Sequence, residues 1–204
     1  MTHGLHGDQL EYPSLKQFSF GYTELLLPAL KINEDTVIYV LNIMGGQPYA
    51  LQNHAKDLIE GLSNTYTLNK IDTIITAEGK SIPLAYEVAR QLDLPYVVLR
   101  KCQKDYMVGN LLSAPVKTFT TGEVQALYLD NKDLPYVVNK NLLFIDDVIS
   151  TGSTLKATEK IVNMAGGKLE ICGAMATEGG YTPEIPHYVM CDLPVIKLNR
   201  KGGG

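Results

Sequence analysis

The stretch Asn141-Leu142-Leu143-Phe144-Ile145-Asp146-Asp147-Val148-Ile149-Ser150-Thr151-Gly152-Ser153-Thr154 decides how this chain is read. It opens on a short apolar run, the pattern of a parallel strand buried on both faces. Two adjacent carboxylates, Asp146 and Asp147, close the run, and a turn of small residues follows. Leu155 to Ala165 then reads as a helix, with Leu155, Ile161, Val162 and Ala165 as its apolar positions. Strand, turn and helix in that order belong to an α/β sheet.

Each part of the stretch has a chemical use. In an open α/β sheet the ligand crevice lies outside the carboxyl ends of the strands, which puts Asp146 and Asp147 at its lip. Ser150, Thr151, Gly152, Ser153 and Thr154 bring backbone N–H groups and hydroxyls to a helix N-terminus, where the dipole favours an anion. Carboxylates accept from sugar hydroxyls while the turn donates to phosphate, so the combination suits a sugar phosphate. Helix capping by itself accounts for one hydroxyl and leaves the paired carboxylates unexplained. A nucleoside-triphosphate P-loop is excluded, because no Gly-Lys-Ser or Gly-Lys-Thr ends the turn.

Phe144-Ile145-Asp146-Asp147-Val148-Ile149-Ser150-Thr151-Gly152-Ser153-Thr154 resembles the phosphoribosyl pyrophosphate (PRPP) motif of the type I phosphoribosyltransferases. A weaker likeness runs from about Asp72 to Glu178. The resemblance implies an α/β fold with a mostly parallel central sheet flanked by helices, a small cap or hood, and a flexible loop. A single phosphoribosyltransferase domain over residues 1–204 is expected, with an N-terminal cover at 1–35, a core at 36–176 and a C-terminal cap and tail at 177–204.

Composition sets the outer limits. A length of 204 residues suits one domain with a substantial core and no need of disulfides. Apolar and charged shares of 45% and 20% are those of a soluble globular protein. No apolar run approaches the ~20 residues that span a bilayer, and the first seven residues lack the basic and apolar regions of a secretory signal. A net charge of −4 argues against a general nucleic-acid surface. Cys102, Cys172 and Cys191 are widely spaced with no Cys-x-x-Cys pair, which fits neither a disulfide framework nor a zinc site. A reducing cytoplasm is the simplest reading.

Along the chain, His3 and His6 sit among glycines and read as a tail rather than a metal site. Tyr12 to Pro28 mixes aromatic and apolar residues that suit a short strand or a cover. Thr36 to Ile43 is a β-branched run and an expected strand. Met44-Gly45-Gly46-Gln47-Pro48 breaks it, as a plain turn or as a close backbone approach to a ligand, and Pro48 to Gly61 reads as a helix. Ile71 to Thr76 is a buried strand, Ile82 to Leu92 a helix and Tyr96 to Leu99 a further strand. This rhythm implies a parallel sheet with right-handed crossovers. Cys102 to Pro115 is irregular, either a lid or a solvated loop. Val116 to Thr120 and Glu123 to Leu129 read as a hairpin around Thr121-Gly122. Leu169 to Ala176 is another core strand, and Thr177 to Lys201 a cap with a short strand at Val195 to Leu198 before the terminal glycines Gly202 to Gly204.

The resemblance assigns roles to many of these residues. Ala77, Glu78, Gly79 and Lys80 match the turn that wraps the pyrophosphate, although alone they read as a capping turn with a solvated lysine. The irregular segment resembles the loop that closes over PRPP, with Arg100, Lys101 and Lys104 facing phosphate. Asp146, Asp147, Arg100 and Lys101 are the implied catalytic set; Met44, Val148 and Glu178 are candidates for the base pocket. The implied substrates are PRPP and a purine base, adenine slightly ahead of xanthine, with Mg²⁺ carried mainly by PRPP rather than by direct protein ligands. A cytoplasmic homodimer with neither nucleic acid nor membrane as partner is implied as well. Adenine enzymes carry Leu-Glu-Tyr-Gly near this hairpin, whereas Thr118-Phe119-Thr120 here has no acid, which brings the xanthine pattern closer. The alternative is a non-catalytic PRPP-binding module like the effector domain of the purine repressor. The 35 residues before the first clear strand are expected to be too few for that repressor's DNA-binding domain.

Overall fold

The computed structural model of the chain describes residues 15–46, 48–117 and 124–198. His3 and His6, the Thr118-Phe119-Thr120 segment, the Thr121-Gly122 turn and Gly202 to Gly204 lie outside the described residues. In chain order, β1 (Leu15–Phe20), β2 (Thr23–Asn33) and β3 (Thr36–Tyr39) are followed by α1 (Pro48–Thr65) and β4 (Thr73–Ala77). Then come α2 (Ile82–Leu92), β5 (Tyr96–Leu99), β6 (Leu112–Lys117) and β7 (Val124–Leu129). The chain continues with β8 (Asn141–Ile149), α3 (Ser153–Met164), β9 (Lys168–Glu178), β10 (His187–Leu193) and β11 (Ile196–Lys197).

The central sheet has five strands in the order β10-β9-β8-β4-β5, every neighbouring pair parallel. β8 lies at its centre, and its apolar run is buried on both sides because strand side chains alternate. Leu143 and Ile145 join the core formed with α1 and α2, including Leu58, Leu62, Leu84 and Val88. Leu142 and Phe144 join the core formed with α3 and the β6–β7 hairpin, including Leu155, Ile161, Val162 and Leu127. All four β8 side chains are fully buried, each contributing about 1.5–3 kcal/mol by transfer from water. The result is a sheet between two apolar layers, an arrangement that fixes the carboxyl end of β8 firmly. No helix among the described residues is long and apolar enough to cross a membrane.

A second sheet of four strands, β1-β2-β3-β11, is antiparallel throughout and packs Phe20, Leu27 and Tyr39 onto the first core. This is the hood. The run from Thr36 was expected as a strand to Ile43; it ends at Tyr39 and pairs with β2 and β11. A β-branched run signals a strand without naming its partner, since pairing is a tertiary matter.

Other boundaries differ from the sequence reading too. β8 runs through both carboxylates to Ile149, because the ladder to β9 continues at Asp146↔Ala174 and Val148↔Ala176. α3 starts at Ser153 rather than Leu155, and the strand expected over Ile71 to Thr76 is shifted to Thr73–Ala77. The irregular segment gives way to β6 at Leu112, earlier than Val116. The largest correction is in the tail: His187–Leu193 is the edge strand of the parallel sheet, paired with β9, where a cap was expected. Its half-buried pattern, with His187, Cys191 and Asp192 inside it, hides the usual continuous apolar run of a parallel strand. Cys172 is buried in the core, with burial and then the Asp146 charge pushing its thiol up to about 12.

Candidate active site

The carboxyl ends of β4, β5, β8 and β9 meet where the hood crosses the sheet. Asp147 is almost fully buried there, and its Oδ2 lies 3.3 Å from Lys80 Nζ. The same lysine donates to the Leu41 carbonyl at 2.7 Å, just beyond β3. Lys80 thus links a motif carboxylate to the hood, which differs from a side chain reaching freely toward a diphosphate. Asp147 Oδ2 makes no well-directed hydrogen bond despite that ion pair, so it keeps acceptor capacity.

Asp146, half-buried, accepts from the Asp147 N–H at 2.9 Å. Burial, and then the Asp147 charge, push its carboxyl well above the usual carboxylate range, while Lys101 acts in the opposite sense. Like charges taken out of water disfavour ionisation unless a partner arrives. The pair is therefore primed for a cation or for donors such as sugar hydroxyls.

A cavity of about 210 Å³ opens beside Asp147, lined by Ile38 to Leu41, Lys80, Val148, Ser150 and Glu178. It is smaller than the ~300 Å³ lower end of small-molecule pockets, so it is one subsite rather than the whole site. Burial raises the Glu178 carboxyl, Lys80 lowers it, and Asp147 and Asp192 raise it further. Val148 and Glu178, two of the expected base-pocket residues, line this cavity; Met44 does not, and is 63% exposed. The hood backbone from Ile38 to Leu41 takes its place. That contribution is invisible in sequence, because an apolar run carries no mark of facing a polar site.

The phosphate-type turn has the expected form. Gly152 is the N-cap of α3 with a left-handed φ of 70°, and has no side chain of its own to cap the helix. Thr151 Oγ1 donates to Ser153 Oγ at 3.1 Å, and the Ser153 N–H donates back to Thr151 Oγ1 at 3.4 Å. The Thr151 hydroxyl thus takes up the first N–H of α3.

At the end of β5, Glu78 organises the cations. Its Oε1 pairs with Arg100 Nη2 at 3.0 Å, and its Oε2 accepts from the Lys101 N–H at 2.9 Å. Arg100 is also bridged to Tyr128 of β7 by backbone bonds of 2.9 and 2.8 Å, and its buried Nε has no hydrogen-bond partner. Gly79 leaves open space on its side-chain side, where a Cβ would lie 3.8 Å from Lys101 Nζ. Lys104, in the following loop, donates to Cys102 Sγ at 2.9 Å. Among the described residues no three His, Cys, Asp or Glu side chains gather to hold a metal ion.

Carboxylates at a strand end, a glycine turn opening a helix and a cluster of cations thus gather at the carboxyl edge of the sheet, where α/β proteins place their ligand crevice. Residues 48–201 match the phosphoribosyl transferase domain. The chain belongs to the phosphoribosyltransferase family, with the type I fold. It is similar to the hypoxanthine/guanine phosphoribosyltransferase of Methanococcus voltae, 34% identical over 153 residues that cover 72% of this chain and 77% of that enzyme. The enzyme of the same name from Methanothermococcus okinawensis is 34% identical over 128 residues, 62% of this chain and 64% of its own length. The purine biosynthesis transcriptional repressor of Bacillus subtilis is 24% identical over 80% of this chain and 55% of the repressor. Among solved structures, adenine phosphoribosyltransferase of Saccharomyces cerevisiae shares the fold, with a TM-score of 0.64 at 16% identity over 87% of this chain and 94% of that one.

Proposed function

We propose that the chain is a purine phosphoribosyltransferase, in which a ring nitrogen of the base displaces pyrophosphate from C1 of PRPP. The observation that carries this reading is the Asp146–Asp147 pair, half-buried and buried in turn, running directly into the Gly152 turn and the N-terminus of α3. In this reading the turn from Ser150 to Thr154 holds the 5′-phosphate, and its binding energy orients the reacting carbon. Asp146 and Asp147 accept from the ribose hydroxyls and stabilise positive charge as the transition state takes on oxocarbenium character. Arg100 and Lys101, positioned by Glu78, stabilise the negative charge growing on the leaving diphosphate. Mg²⁺, when bound with PRPP, supplies further charge neutralisation; the spare acceptor capacity of Asp147 Oδ2 and the unfavourable charge on Asp146 fit a cation held mostly by substrate oxygens.

The names of the curated relatives support hypoxanthine or guanine over adenine or xanthine as the base. A base between the hood backbone and Glu178 fits the cavity's position beside Asp147. The similarity to the repressor supports a second reading, a PRPP-binding regulatory module without turnover. Pyrophosphate release from PRPP and Mg²⁺ tests both, with hypoxanthine, guanine, adenine, xanthine and orotate offered separately. Turnover with hypoxanthine or guanine is the expected result. PRPP binding by calorimetry without turnover on any base would replace the enzyme with the regulatory module.

A further inference from the structure

Glu178 closes β9 and lines the cavity beside Asp147. Its backbone is held on both sides. Glu178 stands opposite Leu193 in the parallel ladder of β9 and β10, and the Gly179 N–H donates to the Leu193 carbonyl at 2.9 Å. The Tyr181 N–H donates to the Glu178 carbonyl at 3.2 Å. Between them Gly179 and Gly180, with left-handed φ of 63° and 75°, turn the chain out of the sheet.

The charged side chains around this strand end differ in what they already hold. Lys80 joins Asp147 to the Leu41 carbonyl. Asp192 accepts from Thr177 Oγ1 at 2.8 Å and from the Gly180 N–H at 3.0 and 3.2 Å. Glu178 is the exception, for among the described residues its carboxylate takes part in no hydrogen bond and no ion pair. An ionised carboxylate has two oxygens that accept and nothing that donates. Burial penalises the Glu178 charge, Lys80 offsets part of that, and Asp147 and Asp192 add to the penalty. Donors brought into the cavity relieve this, whereas further acceptors worsen it. Ile38 to Leu41 and Val148, also in the lining, are apolar or aromatic and suit the faces of a flat heterocycle. The polar edge of such a ring is left to Glu178.

We propose that Glu178 selects the base by its hydrogen-bonding edge, its two oxygens accepting from the N1–H and the 2-amino group of guanine. The inference rests on the phosphoribosyltransferase reading of this site and narrows it to one base. Two donors side by side meet two acceptors side by side, which gives the pair direction as well as strength. Hypoxanthine offers the N1–H alone and leaves one oxygen unpaired. Xanthine turns a carbonyl oxygen at C2 toward the carboxylate, and adenine an unprotonated N1, so each sets acceptor against acceptor. A site built around a hydrogen bond rejects the analogue that lacks it. The expected order is guanine, then hypoxanthine, then xanthine and adenine.

The test is Glu178→Gln, which keeps the shape and turns one acceptor into a donor. kcat/KM is measured for guanine, hypoxanthine, xanthine and adenine on both proteins, with PRPP and Mg²⁺ saturating. Calorimetry gives the binding of guanosine, inosine and xanthosine monophosphates and of ribose 5-phosphate. The unaltered protein is expected to favour guanine over hypoxanthine, and guanosine over inosine monophosphate, by roughly tenfold, the effect of one charge-assisted hydrogen bond. In the variant the guanine-to-xanthine ratio is expected to fall at least about tenfold, because the glutamine carbonyl accepts from the xanthine N1–H while its amide donates to the C2 oxygen. Ribose 5-phosphate is expected to bind the two proteins equally. Equal use of guanine and hypoxanthine by the unaltered protein, or an unchanged guanine-to-xanthine ratio in the variant, overturns the assignment and leaves the transferase reading standing. Equal losses for ribose 5-phosphate and all three nucleotides also overturn it, by making the role structural. If no base is turned over but the nucleotide preference and its change in the variant hold in calorimetry, catalysis gives way to the regulatory module and the Glu178 assignment stands. An unaltered protein that binds none of the nucleotides removes both.

Discussion

Burial and the neighbouring Asp147 charge hold the Asp146 carboxyl above its usual range, and that has a cost in the free protein. Between the unfolded and native values the native state keeps a proton that the unfolded chain has released. Stability from this group is therefore full below the ordinary carboxylate value and falls as pH rises through the native value. Asp146→Asn removes the charge and is expected to raise the melting temperature at pH 8. The gain should vanish by about pH 4, where the unfolded carboxyl also takes up its proton. Each kcal/mol relieved corresponds to roughly 2–4 °C in a chain of this size. Asp147→Asn should leave the far-ultraviolet circular dichroism unchanged and lower kcat/KM for PRPP roughly 100-fold, the scale of removing one electrostatic partner of a transition state. Unchanged turnover would sink its ribose role. Gly152→Ala places an L-residue at a φ of 70° and overlaps Tyr181. Backbone strain alone costs about 1–2 kcal/mol, and urea denaturation should show at least that loss.

Among the elements, the hood and the sheet meet at Lys80. Its ammonium joins the Leu41 carbonyl, past the end of β3, to Asp147 in β8. Lys80→Ala is expected to speed amide hydrogen exchange in the Thr36 to Ile43 segment. Global stability should change by less than about 1 kcal/mol, because the lysine is substantially exposed and its ion pair is screened. Exchange equal to that of the unaltered protein would show that hydrophobic packing alone seats the hood. The strut ties two layers of the fold at a single side chain.

For the whole molecule, a ligand that binds only the folded chain stabilises it by mass action. PRPP with Mg²⁺ at one hundred times its dissociation constant should add about 2.7 kcal/mol. Read by thermal shift, that is a rise of roughly 5–10 °C; no shift at any concentration would remove PRPP as a ligand. Much of the architecture that makes such a site was legible in the residues. α2 and β5 fall at the expected ends, Ile82–Leu92 and Tyr96–Leu99, because local periodicity and the Leu94-Pro95 connection between them suffice. The place of β3 and β10 was not legible. Both depend on which strand accepts them as a neighbour, and a half-buried edge strand such as His187–Leu193 carries little of the pattern that marks a central one.

The sequence by itself determined the central unit. An apolar run, two carboxylates and Ser-Thr-Gly-Ser-Thr specify a buried strand, an acidic strand end and a glycine turn into a helix, because each depends on neighbours within a few residues. It also placed Glu78, Arg100 and Lys101 at strand ends. Only the tertiary structure decided that Lys80 joins Asp147 to the hood, that Ile38 to Leu41 rather than Met44 line the cavity, and that Tyr181 lies over Gly152. Those contacts join residues 29 or more positions apart, and their formation is governed by tertiary packing, which leaves no local signature in the chain.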